Sequence, residues 1–523
     1  MSAPEEPTPP PDAGTATSGR TVLSGGTWVA ASALLPQLFT IAMSVAAARF
    51  LGPHGLGRQS YIAFVSLSAT WLLTGGLAIA VARAVAESVG RGQPAVGRGI
   101  GAWMWRVLAV AAAISGGGVA IVGLAGADPK AAWILAGVVT GLSVLQAGAA
   151  AQLTGMQRWR ELAMTGMATG ALAVVATIAV LAAGGGIVGM FAVEAVVVAL
   201  NLACAVFLAR RAFAALAPRP VRVRALERST ARYALITTAT LALAFVVQRR
   251  SEFFFLQYYS SDAEIAFYSI AFAATAALTI VPERLGAVMM SAFATVFGAG
   301  DPKRLRLAYG RALRLMVISA LPLAALALVL GPPTIRVVYG SEFTRVGVVL
   351  VIMLAAVPLA PLWNVSGSAL TSVEHAKGQF VASLAGVVTN IALAFALIPA
   401  HGAVGAAIAN VVSQAVSGAV MYGYARTRFG AVRWEPGALL RTALASAGAA
   451  LVGLACVQGI GGWPGVVAGV AAGAVAFALL SMTLRILPAD DARWLDRAIG
   501  QRLGGRPGIL LRAIAARTRP RGT

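Results

Sequence analysis

Charge is scarce in this chain. Of 523 residues, 11% are Asp, Glu, Lys or Arg, against roughly a quarter in a soluble domain, which excludes an ordinary water-soluble globule. Histidine is almost missing: His54, His375 and His401 are scattered at loop edges, and cysteine is limited to Cys204 and Cys456. These shortages exclude a disulfide framework and a metal centre built on Cys and His spacing, leaving the two thiols as small apolar residues inside apolar runs. HExxH, P-loop, GxSxG and dinucleotide fingerprints are all lacking. So is any polar stretch large enough for a catalytic domain. No catalytic residue, metal or cofactor is therefore expected.

What the chain has in excess is hydrophobicity, 59% of residues and a mean hydropathy of +0.80. Apolar windows of about 20 residues, enough to cross a hydrocarbon layer as helix, recur along nearly the whole length. Lipid offers the backbone no partners, and continuous rather than alternating apolar patterning excludes a barrel, so each window is expected to be a helix. The reading is an all-α integral membrane protein of about 14 spans, the first near 25–49 and the last near 463–486. Span eight, near 265–297, is long and contains Pro282, which predicts a kink or a projection beyond the bilayer. Residues 1–20, rich in Pro, Thr and Ala, read as a disordered tail rather than a signal peptide. The stretch "RFLGPHGLGRQSY" from Arg49 reads as a tight corner between the first two spans, with Pro53 and Gly52, Gly55 and Gly57 setting its torsions.

Basic residues fix the expected orientation. Of the 41 Lys and Arg, 32 fall on the side of the two termini, 5 on the other side and 4 within spans. By the positive-inside rule both termini are cytoplasmic, in a cell inner membrane. The +22 net charge (41 basic against 19 acidic) is then topological and needs no nucleic acid. The end of the chain, 488–523, carries Trp494, Ile499, Leu503, Ile509, Leu510 and Ile514 between arginines at near-helical spacing, which suits an amphipathic segment on anionic membrane lipids.

An internal repeat organises the spans. "GIVGMFAVEAV" from Gly186 matches "GAVGAAIANVV" from Gly402, setting Glu194 opposite Asn410, and "YIAFVSL" from Tyr61 matches "YSIAFAA" from Tyr268. An even number of spans between partners makes the repeats parallel, related by a pseudo-twofold axis along the membrane normal. The expected units are the N-lobe at 21–211, a basic linker at 212–231, the C-lobe at 232–425, two further spans at 426–487 and the basic tail. Two six-helix lobes suggest a transporter whose cleft opens alternately to each side.

"ARFLGPHGLGRQSY", "GGLAIAVAR" from Gly75, "VVYGSEF" from Val337 and "NIALAFALIPAHGAVGAAIAN" from Asn390 resemble the polysaccharide and oligosaccharide flippase family. That family belongs to the superfamily shared with multidrug and toxin extrusion transporters and lipid II flippases. The resemblance covers most of residues 20–425. It implies a fourteen-helix carrier moving a glycan on a polyprenyl pyrophosphate from the inner to the outer leaflet, with glycan assembly enzymes as possible neighbours. Where relatives often have an acidic residue in span seven, "QRRSEFFF" provides Glu252 after Arg249 and Arg250.

Ionisable groups inside a membrane cost a few kcal/mol each and usually face a cavity or a partner. Arg106 is read as snorkelling to the cytoplasmic surface, whereas Glu194 either lines the cleft or bonds between helices. Arg249, Arg250 and Arg284, with Arg49 as a weaker candidate, are expected to grip the pyrophosphate, since guanidinium binds phosphate bidentately. Glu252 and Glu283 would hold these arginines between cycles. An ion pair that only ties spans seven and eight together is the alternative. Two rival functions stand beside the flippase: a cation-coupled multidrug exporter, calling for buried carboxylates away from arginine, and a membrane-embedded glycan ligase or scaffold, calling for large outer loops.

Overall fold

The computed structural model describes residues 19–216, 219–223, 230–232, 234, 235, 237, 238, 251–298, 300–373, 376–487 and 491, with backbone alone at 19–34, 281–288, 291, 292 and 376. Every regular element among them is helical: α1 Gly19–Gly90, α2 Pro94–Leu124, α3 Lys130–Gly155, α4 Trp159–Ala182, α5 Gly186–Leu216, α6 Glu252–Tyr259, α7 Asp262–Gly298, α8 Pro302–Tyr339, α9 Val346–Met353, α10 Ala360–Ser372, α11 Ala376–Phe429, α12 Pro436–Ile460 and α13 Gly462–Leu484. Among the described residues, eleven candidate spans are long and apolar enough to cross a membrane.

Two of these helices hold a corner. α1, of 72 residues, is interrupted at Gly52 (φ 66, ψ −177), and α11, of 54 residues, at Gly402 (φ 52, ψ −128). Both torsion pairs lie where an L side chain is strained, so glycine turns the chain with no intervening loop. Each element is two helices joined at one residue, and the corner expected at "RFLGPHGLGRQSY" is Gly52 itself. The span expected near 346–364 departs from a single helix: α9 runs into a 3-10 turn at Leu354–Ala356 and a non-helical step before α10. Pro358 within that step has no N–H to give the ladder. α7 continues as one helix through Pro282. Most of expected span seven, and both chain ends apart from Asp491, lie outside the described residues.

The corners share one face. Arg58, six residues after Gly52, contacts Asp128 before α3 and Asp262 at the start of α7. Glu264 reaches Arg345 before α9 and the backbone at Ala403. Ile187 and Val188, just after Gly186, pack in one cluster with Tyr61 and Ala127. We call this the corner face and the opposite one the basic face.

α1 to α5 pack on one another, and α1 also packs along α7. One core cluster spans that contact, joining Ala46, Ala47, Ala48 and Phe64 of α1 to Phe253, Tyr268 and Ile270. Without a hydrophobic drive between helices in lipid, close approach of small residues does much of the work. A Cβ on Gly116 of α2 would fall 2.6 Å from the Gly137 carbonyl of α3. α12 and α13 pack together and against α8. Asp491, fully buried, closes that attachment by accepting from Arg311 Nε at 3.0 Å and from Arg314 Nε and Nη2 at 3.0 and 2.8 Å.

Candidate functional site

The corner at Gly402 folds the two arms of α11 beside one another. That brings Asn390, twelve residues before it, and Asn410, eight after it, to the same point. Glu264 fixes the corner: one carboxylate oxygen accepts from the Ala403 N–H at 2.8 Å, a donor left free where a helix restarts, and the other pairs with Arg345 at 2.9 Å. Between the arms enters the start of α6, carrying Glu252.

Glu252 is fully buried. Its Oε1 accepts from Asn390 Nδ2 at 2.7 Å and from Asn410 Nδ2 at 2.9 Å. Asn390 Oδ1 accepts from Ser251 Oγ at 3.0 Å, Asn390 Nδ2 also reaches Ser413 Oγ at 3.3 Å, and Gln414 donates to Asn410 Oδ1. The second carboxylate oxygen, Oε2, is buried and has no donor within normal hydrogen-bond distance among the described residues, although the buried Tyr268 hydroxyl also interacts with this carboxyl group. An ionised carboxyl group with one weakly satisfied oxygen in so apolar a place is costly. The cluster can lower that cost by taking up a proton, or a monovalent cation with the amides turned to present oxygen. No grouping of three or more His, Cys, Asp or Glu that could hold a metal ion occurs among the described residues.

A second set of contacts joins the N-terminal and C-terminal halves on the corner face. Arg58 Nε donates to Asp262 Oδ2 at 2.8 Å and Nη1 lies 3.5 Å from Asp128 Oδ2. The Asp262 hydrogen bond and charge push the Arg58 pKa up. Beside it the backbones nearly touch, since a Cβ on Gly57 would fall 1.7 Å from the Asp262 carbonyl oxygen. Arg49 spends its guanidinium on the end of α8, with Nε donating to the Val338 carbonyl at 2.8 Å and Nη2 to that of Val337 at 2.6 Å. These are orphan carbonyls at the negative end of a helix dipole. Deeper in, Phe64 of α1 stacks on Phe253 and meets Phe254 edge-on, each with centroids 5.0 Å apart.

Of the residues singled out in the sequence, Arg249 and Arg250 lie outside the described residues. Arg284 sits on α7 with its side chain undescribed. Arg49 is at the seam between halves, and Glu252 is held by asparagines, with no ion pair to arginine among the described residues. Glu194 is half-buried on α5, eight residues after Gly186, as Asn410 is eight after Gly402. Sequence reasoning missed Asn390, Ser413 and Gln414. The available signal was the cost of amides inside an apolar run, of which only Asn410 was noticed, through the repeat.

Two family models match the chain, one described as a polysaccharide biosynthesis protein over residues 128–348 and one as the lipid II flippase MurJ over residues 271–472. No curated protein sequence matches. Among solved structures, the chain is similar to lipid II flippase MurJ in an inward closed conformation, with 14% identity, a TM-score of 0.66 and coverage of 88% of this chain and 98% of that one. It is also similar to a multidrug resistance MATE family transporter of the MOP superfamily, inward-facing, at 16% identity and TM-score 0.63 over 76% of this chain and 95% of that one. A MOP superfamily transporter from Pyrococcus furiosus gives 15% identity and TM-score 0.51 over 77% and 98%. The structural likenesses establish the fold. Together with the family matches they support a flippase-family assignment, and a membrane flippase or transporter as the kind of protein this is.

Proposed function

We propose that this flippase-type transporter moves a lipid-linked oligosaccharide or polysaccharide precursor, borne on a polyprenyl pyrophosphate, from the inner to the outer leaflet of the cytoplasmic membrane. The observation that carries the reading is the seam between the halves. It includes an ion pair, two helix-end hydrogen bonds and two aromatic contacts, all of which can be broken and remade as two lobes rock. With the termini cytoplasmic, as the basic loops suggest, the corner face is the outer one and the conformation is closed to the outside.

Arg249, Arg250 and Arg284 would meet the pyrophosphate in the cleft, because guanidinium forks match phosphate oxygens and keep their charge in a low-dielectric site. Arg49 would join them once the seam opens and the end of α8 releases its guanidinium. Glu252 with Asn390 and Asn410 would be the coupling element, exchanging a proton or monovalent cation with each cycle. That cluster alone would serve a cation-coupled multidrug exporter equally well. The family match to polysaccharide biosynthesis, spanning the junction of the halves, favours the glycan lipid.

The test is the leaflet distribution of the precursor. In cells depleted of the protein, lipid-linked glycan should build up where a membrane-impermeant sugar-oxidising label cannot reach it, and re-expression should restore labelling. Unchanged labelling on depletion overturns the reading. Glutamine replacements of Arg249, Arg250 and Arg284, singly and together, should slow the return while leaving insertion intact. A wild-type rate in the triple variant removes these arginines from the site.

A further inference from the structure

A groove of about 560 Å³ opens between α1 and α2, away from the Glu252 cluster and the seam. Its floor is apolar, formed by Leu73, Val107, Val110 and Ile114, and at its basic-face end stand Trp103 and Arg106. From Trp103 to Ile114 it follows α2 for about 16 Å at 1.5 Å per residue. One leaflet of hydrocarbon is about 15 Å deep.

Arg106 is exposed to the groove, but it is not a loose snorkelling side chain. Its Nη2 donates to the Val223 carbonyl at 3.0 Å. That carbonyl belongs to the stretch joining the two halves, which is itself fixed on α2. The Val221 N–H donates to the Ala95 carbonyl at 3.0 Å, and a Cβ on Gly99 would fall 2.0 Å from the Val221 oxygen. Among the described residues, one of the five guanidinium N–H groups is thus committed and the others have no partner.

We propose that this groove binds one anionic glycerophospholipid of the basic-face leaflet, its phosphodiester on Arg106, its glycerol ester region beside Trp103 and one acyl chain along Val107, Val110 and Ile114. A single positioned cation matches the single charge of a phosphodiester. A polyprenyl pyrophosphate would need several cations and a longer channel. The bound lipid and the connecting stretch then share one guanidinium, so lipid occupancy holds residues 219–223 against α2.

The test uses the purified full-length protein in mixed micelles carrying phosphatidylglycerol or phosphatidylcholine with brominated acyl chains, which quench nearby tryptophan. The Trp103 signal is the difference between wild type and Trp103→Phe. Brominated phosphatidylglycerol should reach half-quenching at a several-fold lower mole fraction than brominated phosphatidylcholine. Arg106→Gln should abolish that preference while retaining quenching by phosphatidylcholine, and Arg106→Lys should keep part of it. Val110→Phe fills the groove without touching the cation, and should weaken phosphatidylglycerol quenching several-fold even if Arg106→Gln fails to fold. Equal quenching by the two lipids in wild type, or a preference that survives both Arg106→Gln and Val110→Phe, overturns the proposal. So does displacement of the brominated phosphatidylglycerol by an equal mole fraction of polyprenyl phosphate, which would make the groove a polyprenyl site.

Discussion

At the scale of single residues, the informative group is a carboxylate with two amide donors on one oxygen and no amide on the other. Replacing Glu252 by alanine strands the Asn390 and Asn410 N–H groups in an apolar interior, at about 1–3 kcal/mol for each unsatisfied group. Glu252→Gln can keep its carbonyl oxygen as the acceptor for both, but it puts a buried amide NH2 where Oε2 now lies and removes the ionisable group. Thermal unfolding in detergent should therefore rank wild type above Glu252→Gln above Glu252→Ala, while transport by Glu252→Gln should lose its dependence on a cation or proton gradient. An alanine variant as stable as wild type would mean that the three side chains do not act as a unit. Glu252 was legible in the sequence because an acidic residue in a long apolar run is conspicuous. Its partners were not, since they come from two arms of one helix, 20 residues apart, and nothing local says that the arms lie side by side.

At the scale of elements, hydrophobic windows revealed nearly all the helices, because span length is set by the bilayer and needs no tertiary information. Joints were less legible. A glycine in an apolar run reads alike whether it eases packing, as at Gly116, or turns the chain, as at Gly402; the repeat drew attention to Gly186 and Gly402 without giving their torsions. Both have positive φ, 55 and 52, but their surroundings differ. At Gly402 a Cβ would meet Glu264 Oε2 at 2.8 Å and Ser260 Oγ at 3.1 Å, whereas at Gly186 nothing lies within 4 Å. Gly402→Ala should therefore cost backbone strain of about 1–3 kcal/mol and also displace the Glu264 carboxylate from Ala403, whereas Gly186→Ala should cost the strain alone. Unfolding midpoints of the two variants, measured side by side, check the order. If Gly186→Ala proves the more damaging, the contact at Glu264 does not brace the corner.

At the scale of the whole molecule, closure on the corner face was out of reach of sequence reasoning, because it depends on Arg49 and Arg58 meeting residues more than 200 positions away. As a snorkelling anchor or a phosphate ligand, Arg49 made equal sense until the end of α8 came into view. The seam also makes the transport cycle testable without knowing the cargo. In a background with Cys204→Ala and Cys456→Ala, Arg58→Cys and Asp262→Cys would put two thiols where the ion pair now stands, and a short bifunctional methanethiosulfonate would join them. If the halves must part here once per cycle, transport should stop on crosslinking and recover when a reductant cleaves the bridge. Each single-cysteine variant under the same reagent should keep working, which separates the crosslink from the loss of the ion pair. Undiminished transport in protein that is almost fully crosslinked would mean that the seam stays shut throughout, and that the cargo crosses by a route which does not separate α1 from α7.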